Sequence, residues 1–455
     1  MEFHPQPQAG TAKPWAFPAP DRATLPNGLT VLRCHRPGQQ VVAVDIVLDA
    51  PLDTEPEGLD GVSTIMARAF TEGTDKHSAE EFAAELERCG ATLDVHADHP
   101  GLRISLEVPV SRLSKGLALL ADALRAPAFD ESEIKRLVRN RLDEIPHETA
   151  NPARRAAKEL YKQLFPAETR MSRPRQGTEE TVERIDAAGV RAFYDAHVRP
   201  ATATAVVVGD LEGADLDAML GETLGEWTGN TTQPRPAVPV TADDTGRVFI
   251  VDRPGAVQTQ LLIGRIGADR HDQVWPAQVL GTYCLGGTLT SRLDRVLREE
   301  KGYTYGVRAF AQVLRSAPDG SGAAMLAISG SVDTPNTGPA LDDLWKVLRT
   351  LAAEGLDDAE RDVAVQNLVG VAPLRYETAA AVSATLADQV EQGLPDDFQA
   401  QLYRRLSETG TVEATAAVVN AFPEDRLVTV LVGDAAQIEE TVKSLGIGEV
   451  TVVTG

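Results

Sequence analysis

Thr64 and Arg68 stand one helical turn apart in GLDGVSTIMARAFTEGT, residues 58–74. Val62, Ile65, Met66, Ala69 and Phe70 recur at i, i+3, i+4, i+7 and i+8, which predicts an amphipathic helix with one buried face. Thr64, Ala67 and Arg68 fall off that stripe. Positions i and i+4 are where a metal-binding helix presents two zinc-binding imidazoles. Threonine is a poor zinc ligand, alanine accepts no proton, and arginine is permanently cationic and repels a metal. The eight histidines, at 4, 35, 77, 96, 99, 147, 197 and 271, form no HExxH, HxxEH or HxxxH. His96 and His99, in HADH, belong to a strand-like segment and point to opposite faces. His147 and Glu148 read as solvent-facing residues of a Pro-flanked loop. No GxSxG nucleophile elbow and no P-loop GK[ST] occurs.

The elements that would hold such residues come from a chain of 455 residues, long enough for two to four domains. With 44 Lys and Arg against 67 Asp and Glu, the formal net charge is −23. That sign repels nucleic acid and anionic membranes and mildly favours basic ligands, though it equally serves solubility. Cys34, Cys89 and Cys284 are odd in number and far apart, which argues against a disulfide framework and for a reducing compartment. No secretory signal and no membrane-length apolar run is present. The expectation is a cytoplasmic, soluble protein that binds neither nucleic acid nor membrane, with a Pro-rich arm over 1–19.

The chain reads as a tandem duplication. Residues 229–246, rich in Pro, Thr and Asp, read as a linker between 20–228 and 247–455. AVVVGD ends at Gly209-Asp210 and TVLVGD at Gly433-Asp434, an offset of 224. SLEVPVSRLSKG starts at Ser105 and SGSVDTPNTG at Ser329, the same offset. Each half runs from strands such as LTVLRC or RVFIVD through helices to a strand pair, more helices and a final VGD strand. That order predicts two α+β domains, each a mostly antiparallel sheet covered by helices. No GxGxxG follows the first strand, which argues against a dinucleotide fold. The offset projects Thr64 onto Thr288, in CLGGTLTSRLDRVLREEKGYTYGVRAF, and so predicts a counterpart helix that begins at Gly286-Gly287.

LGGTLTSRLDRVLREEKGYTYGV resembles the second-domain signature of the insulinase/pitrilysin superfamily of zinc peptidases, nearest its short-chain branch of mitochondrial processing peptidase and two-subunit bacterial enzymes. TLPNGLTVL, the 58–74 helix and the VGD ends are similar too, so the resemblance spans 20–455. It implies two similar α+β domains per chain and two chains enclosing a peptide chamber. It places the family's His-x-x-Glu-His on Thr64, Ala67 and Arg68, a degenerate motif, and its third ligand on Glu144, which is otherwise a helix-surface carboxylate or a partner for Arg68. It places an Arg/Tyr pair, seven residues apart, on Arg298 and Tyr305. Arg298 lies near the end of a helix that Gly302 terminates, and Tyr305 follows in a strand-like segment. In the family these two reach the zinc site, where Tyr stabilises an oxyanion and Arg holds the substrate. Gly286, Gly287 and Thr288 match a loop that contacts substrate, or else form a helix-start turn.

The resemblance thus implies a non-catalytic, peptide-binding subunit that holds no metal, is inactive alone, and pairs with a homologous zinc-bearing subunit as a heterodimer. Arg298 and Tyr305 would act on the partner's site. The alternatives are an inert scaffold or a peptide-binding homodimer of the same fold. Peptide capture is expected by β-addition to a sheet edge.

Overall fold

The computed structural model of the chain describes residues 15–229, 242–243, 245–315 and 322–454. The first 14 residues of the expected arm and most of the expected linker lie outside the described residues. Two six-stranded sheets are present among the described residues. The first comprises β1 (Asp21–Thr24), β2 (Thr30–His35), β3 (Val41–Leu48), β4 (Thr92–Asp98), β5 (Gly101–Pro109) and β6 (Ala203–Gly209), in the order β1-β2-β6-β3-β5-β4. The second comprises β7 (Arg247–Asp252), β8 (Gln258–Gly267), β9 (Val307–Arg315), β10 (Ala323–Asp333), β11 (Val428–Gly433) and β12 (Glu449–Val453), in the order β12-β7-β11-β8-β10-β9. In each sheet the final VGD strand enters parallel to the first long strand and antiparallel to the next, so the sheets are mixed but largely antiparallel. The five-strand order β2-β6-β3-β5-β4 repeats as β7-β11-β8-β10-β9, as a duplication requires.

The offset of 224 holds where it was read, at β5/β10 and β6/β11. It does not hold earlier: Thr30 and Arg247, which open β2 and β7, are only 217 apart. Projection of Thr64 onto Thr288 therefore fails. The helix Val62–Ala69 packs beside β4, and the helix that packs beside the matching β9 is Trp275–Gly286. That helix ends at the Gly-Gly pair instead of beginning there.

The two halves exchange a helix. Pro152–Leu164 belongs to the first half yet packs on β8 and β11 of the second sheet, and Ala379–Glu391 packs on β3 and β6 of the first. Strand alternation explains how each sheet accepts two layers. Val248 and Ile250 join the core under the second half's own helices, while Phe249 and Val251 meet Ala156, Leu160 and Leu164 of the exchanged helix. Gly264 makes room, since a Cβ there would lie 2.9 Å from Leu160 Cδ2. The turn ETANPA starts that helix in an ordinary way: Asn151 Oδ1 accepts from Arg154 N at 3.1 Å, and Pro152 takes the first helical position. Of the arm, Phe17 is buried and Trp15 stacks on Tyr376, ring centroids 5.6 Å apart.

Candidate functional site

The helix Val62–Ala69 is buried on nearly every side, not on one face. Thr64 and Ala67 are 7% and 3% exposed. Its free N–H groups are met from upstream: Glu55 Oε1 accepts from Gly61 N at 3.0 Å, Ser63 N at 3.1 Å and Ser63 Oγ at 2.6 Å. Arg170 bonds the other Glu55 oxygen at 2.8 Å, and Arg173 holds Asp60 at 2.6 Å. The loop they belong to docks closely. A Cβ on Gly177 would fall 2.1 Å from the Asp60 carbonyl oxygen, and its φ of +77° suits glycine.

Arg68 points at the long helix Glu131–Ala150. Its guanidinium makes two 2.8 Å bonds to the two oxygens of Glu144. Those bonds hold the Glu144 carboxyl below its ordinary pKa. Arg141 Nη1 adds a contact to Glu144 at 3.2 Å and grips Glu148 with bonds of 2.9 and 2.8 Å. Arg154 joins Glu148 at 2.8 Å. Glu148 is thus no loop residue. The helix continues through Pro146 to Ala150, taking His147 and Glu148 with it. His96 is exposed on β4, whereas His99 follows the strand and stacks on Tyr161 at 6.4 Å.

In the second half, Arg292–Asp294 form one helical turn that leads into a π-helical segment, Arg295–Glu300. Such wide turns are rare and concentrate at functional sites. Arg298 sits in it, bonded to its neighbour Glu299 at 2.5 Å. Gly302, at φ +65°, ends the segment as expected. Tyr305 is in a loop before β9, not in a strand, and is 94% exposed. Among the described residues its hydroxyl has no partner. Sequence reasoning missed Asp294, which is fully buried, accepts from Val307 N at 2.7 Å and pairs with Arg308. This carboxylate fastens both ends of the segment 295–306. Gly286 and Gly287 prove tightly packed. A Cβ on Gly286 would lie 2.4 Å from Ala309 N, and one on Gly287 the same distance from the Tyr283 ring. Both border a 290 Å³ cavity beside β9, and Thr288 borders a separate one of 260 Å³.

Comparison with known proteins identifies the family. The insulinase (peptidase family M16) profile matches residues 30–178, and the peptidase M16 inactive domain profile matches 184–368. The chain belongs to the insulinase family, M16. An uncharacterised zinc protease of Bacillus subtilis is 23% identical over 358 residues, 78% of this chain and 84% of that protein. One from Mycobacterium tuberculosis is 26% identical over 373 residues, 80% and 82% of the two chains. Among solved structures, a peptidase M16 inactive domain from Pseudomonas fluorescens aligns with a TM-score of 0.80 at 21% identity, covering 91% of this chain and 98% of its own. A protease from Helicobacter pylori gives 0.81 at 17% identity, covering 92% and 100%.

Insulinase-family names point to zinc, so the fit of the metal can be tested on the donors present. The four motif positions offer a buried hydroxyl, a methyl, a guanidinium and a carboxylate already held by two arginines. This set does not suit zinc. One other triad of potential donors lies among the described residues, His35, Asp210 and Glu212. It braces a turn: His35 Nδ1 accepts from Leu211 N, and Asp210 accepts from Gly38 N and Glu212 N. The three cysteines are free and buried. No helix of the described residues is long and apolar enough to cross a membrane.

Proposed function

We propose that this chain is the non-catalytic, substrate-binding subunit of a two-chain zinc peptidase. A homologous partner supplies the zinc, and this chain lends it Arg298 and Tyr305. The observation that carries the reading is the contrast between the two halves. In the first, a guanidinium ties up the carboxylate that a metal would use. In the second, a tyrosine hydroxyl stands in solvent on a segment that a buried aspartate holds in place. A phenol delivered to a neighbouring site can stabilise the oxyanion of a tetrahedral intermediate, and Arg298 can hold the peptide by charged hydrogen bonds. Substrate is taken by addition to an edge strand, for which β9, with Phe310 37% exposed, is suited.

The test starts with gentle isolation of the tagged chain from its own cells and mass spectrometry of what accompanies it. A stoichiometric homologue carrying His-x-x-Glu-His is expected. In the reconstituted pair, Tyr305→Phe should lower kcat about 10²–10³-fold while leaving assembly intact. Recovery of the chain only as a self-dimer, or full activity of Tyr305→Phe, would refute the proposal.

A further inference from the structure

A cavity of about 490 Å³ lies between the two halves and adjoins the Arg68–Glu144 pair through Arg141 and Glu148. Its lining runs against the charge of the whole chain. The first half contributes Arg141, Arg154, Lys158, Arg173 and Arg175, and among the described residues the only lining carboxylate is Glu148. Two of the bracing carboxylates, Asp60 and Asp98, lie outside the lining, whereas Glu148, which holds Arg141 and Arg154, is part of it. Asp60, 6% exposed, holds Arg173 at 2.6 Å, and Asp98 holds Arg175 at 2.6 Å. Such bracing fixes the guanidinium forks and leaves donors aimed elsewhere. Arg154 and Arg175 each give one side-chain bond to a carboxylate, so most of their donors have no protein acceptor among the described residues. Lys158, exposed on the exchanged helix, has no carboxylate within ion-pair distance among the described residues. The opposite wall comes from the second sheet. It is apolar at Leu262, Phe310 and Met325, with the amides of Gln260 and Gln312 beside them. A basic wall facing an apolar floor is a surface for an anionic chain with apolar side chains.

We propose that this cavity takes an acidic peptide segment, its carboxylates held by Arg154, Lys158 and Arg175 and its apolar side chains set against Leu262, Phe310 and Met325. The inference rests on the peptide-binding reading above and names the substrate class. It reverses the expectation from net charge, because a ligand inside the cavity meets the local lining while the field of the distant carboxylates is screened over a Debye length of about 8 Å.

Calorimetric titration of the full chain with three ten-residue peptides of equal apolar content, one Glu-rich, one Gln-rich and one Lys-rich, tests this. The Glu-rich peptide should bind at least tenfold more tightly than the Lys-rich one and weaken as salt rises. Arg154→Glu with Lys158→Glu should cost about tenfold for the Glu-rich peptide, roughly threefold per charge removed or reversed. Lys158→Glu alone, which breaks no ion pair of the described residues, guards against misfolding as the cause. Equal binding of all three peptides would overturn the charge assignment and leave peptide binding standing. No binding of any peptide to folded chain would overturn the peptide-binding reading and this inference together. Succinate that binds while the peptides do not would assign the cavity to a free dicarboxylate and refute the proposal.

Discussion

The Arg68–Glu144 pair should behave as an ordinary half-exposed ion pair, and its strength can be worked from the geometry. Hydrogen bonds to charged groups are worth about 1.5–3 kcal/mol when sheltered, and exposed pairs about 0.2–1 kcal/mol. Here the contact is bidentate at 2.8 Å, but the side chains are 29% and 42% exposed. The coupling should therefore lie near the top of the exposed range, about 1 kcal/mol. A double-mutant cycle with Arg68→Met, Glu144→Gln and the pair, read by urea unfolding, isolates it. Glu144 has its pKa depressed in the folded state, chiefly by Arg68. Its stabilisation is therefore present above the unfolded carboxylate pKa and lost as pH falls through the lower folded value. The coupling should be full at neutral pH, shrink in molar salt, and vanish in acid. Zinc gives the sharper refutation. A site with Kd ~1 µM, at a hundredfold excess of metal, would add about 2.7 kcal/mol. If zinc stabilises the wild type by such an amount and Glu144→Gln abolishes the effect, the carboxylate is a metal ligand and the reasoning is wrong. A coupling below about 0.3 kcal/mol would also refute it.

Three further outcomes follow from close contacts elsewhere. Gly177→Ala should destabilise the chain by about 2–4 kcal/mol, because its Cβ meets the Asp60 carbonyl oxygen at 2.1 Å on a backbone at φ +77°; urea midpoints check this, and a loss under 1 kcal/mol would show that the loop 170–177 yields easily. Leu160→Ala, on the exchanged helix and fully buried, should cost about 2–4 kcal/mol and lower the unfolding midpoint of the second half with that of the first. His99 has its pKa pushed down to about 4, first by burial, with Arg170 and Arg175 adding to it and Asp98 opposing. Folding thus disfavours its protonation, and stability should be lost as pH falls from 6.5 towards 4, by roughly 2 kcal/mol after allowance for the ring's residual exposure; an NMR titration of His99 near 6.5 would contradict this.

What the sequence made legible is what a buried strand or a strong turn residue writes locally. The VGD echo marks β6 and β11 because central strands buried on both faces read as continuous apolar runs. Gly302 ends its segment at positive φ as its type requires. Trp345, at helical spacing with the leucines of LDDLWKVLRTL, is buried. The exchanged helices were not legible. Amphipathic spacing shows that Leu160 and Leu164 are buried, but it does not say against which sheet. Pro146 suggested a loop around Glu148, yet the helix runs through it to Ala150, its last turn held by the bonds of Arg141 and Arg154 to Glu148. The one signal for Arg141 was its place one turn before Glu144 and two before Glu148. Asp294 and Glu55 act on backbone N–H groups 13 and 6 to 8 residues away, too far for a capping pattern to reveal.

The exchange also bears on how the helix Val62–Ala69 is held in place. A metal bound by the helix Val62–Ala69 and by Glu144 would cross-link two helices, so losing it would remove a tie as well as a reaction centre. The guanidinium of Arg68 makes the same tie, from the same helix to the same carboxylate. From Glu144 the chain of charges continues through Arg141 to Glu148 and then to Arg154, the last of these on the exchanged helix that carries Lys158 and Tyr161 to the second sheet. The Arg68–Glu144 pair is therefore the first link of a ladder of charges that reaches the cation wall of the central cavity. On this argument Arg68 supports ligand binding from a distance. Arg68→Met should weaken Glu-rich peptides by loosening Glu144 and Arg141, by less than reversal of Lys158 does, and Arg68→Lys should restore only part of the loss, because an ammonium cannot make the two-point contact.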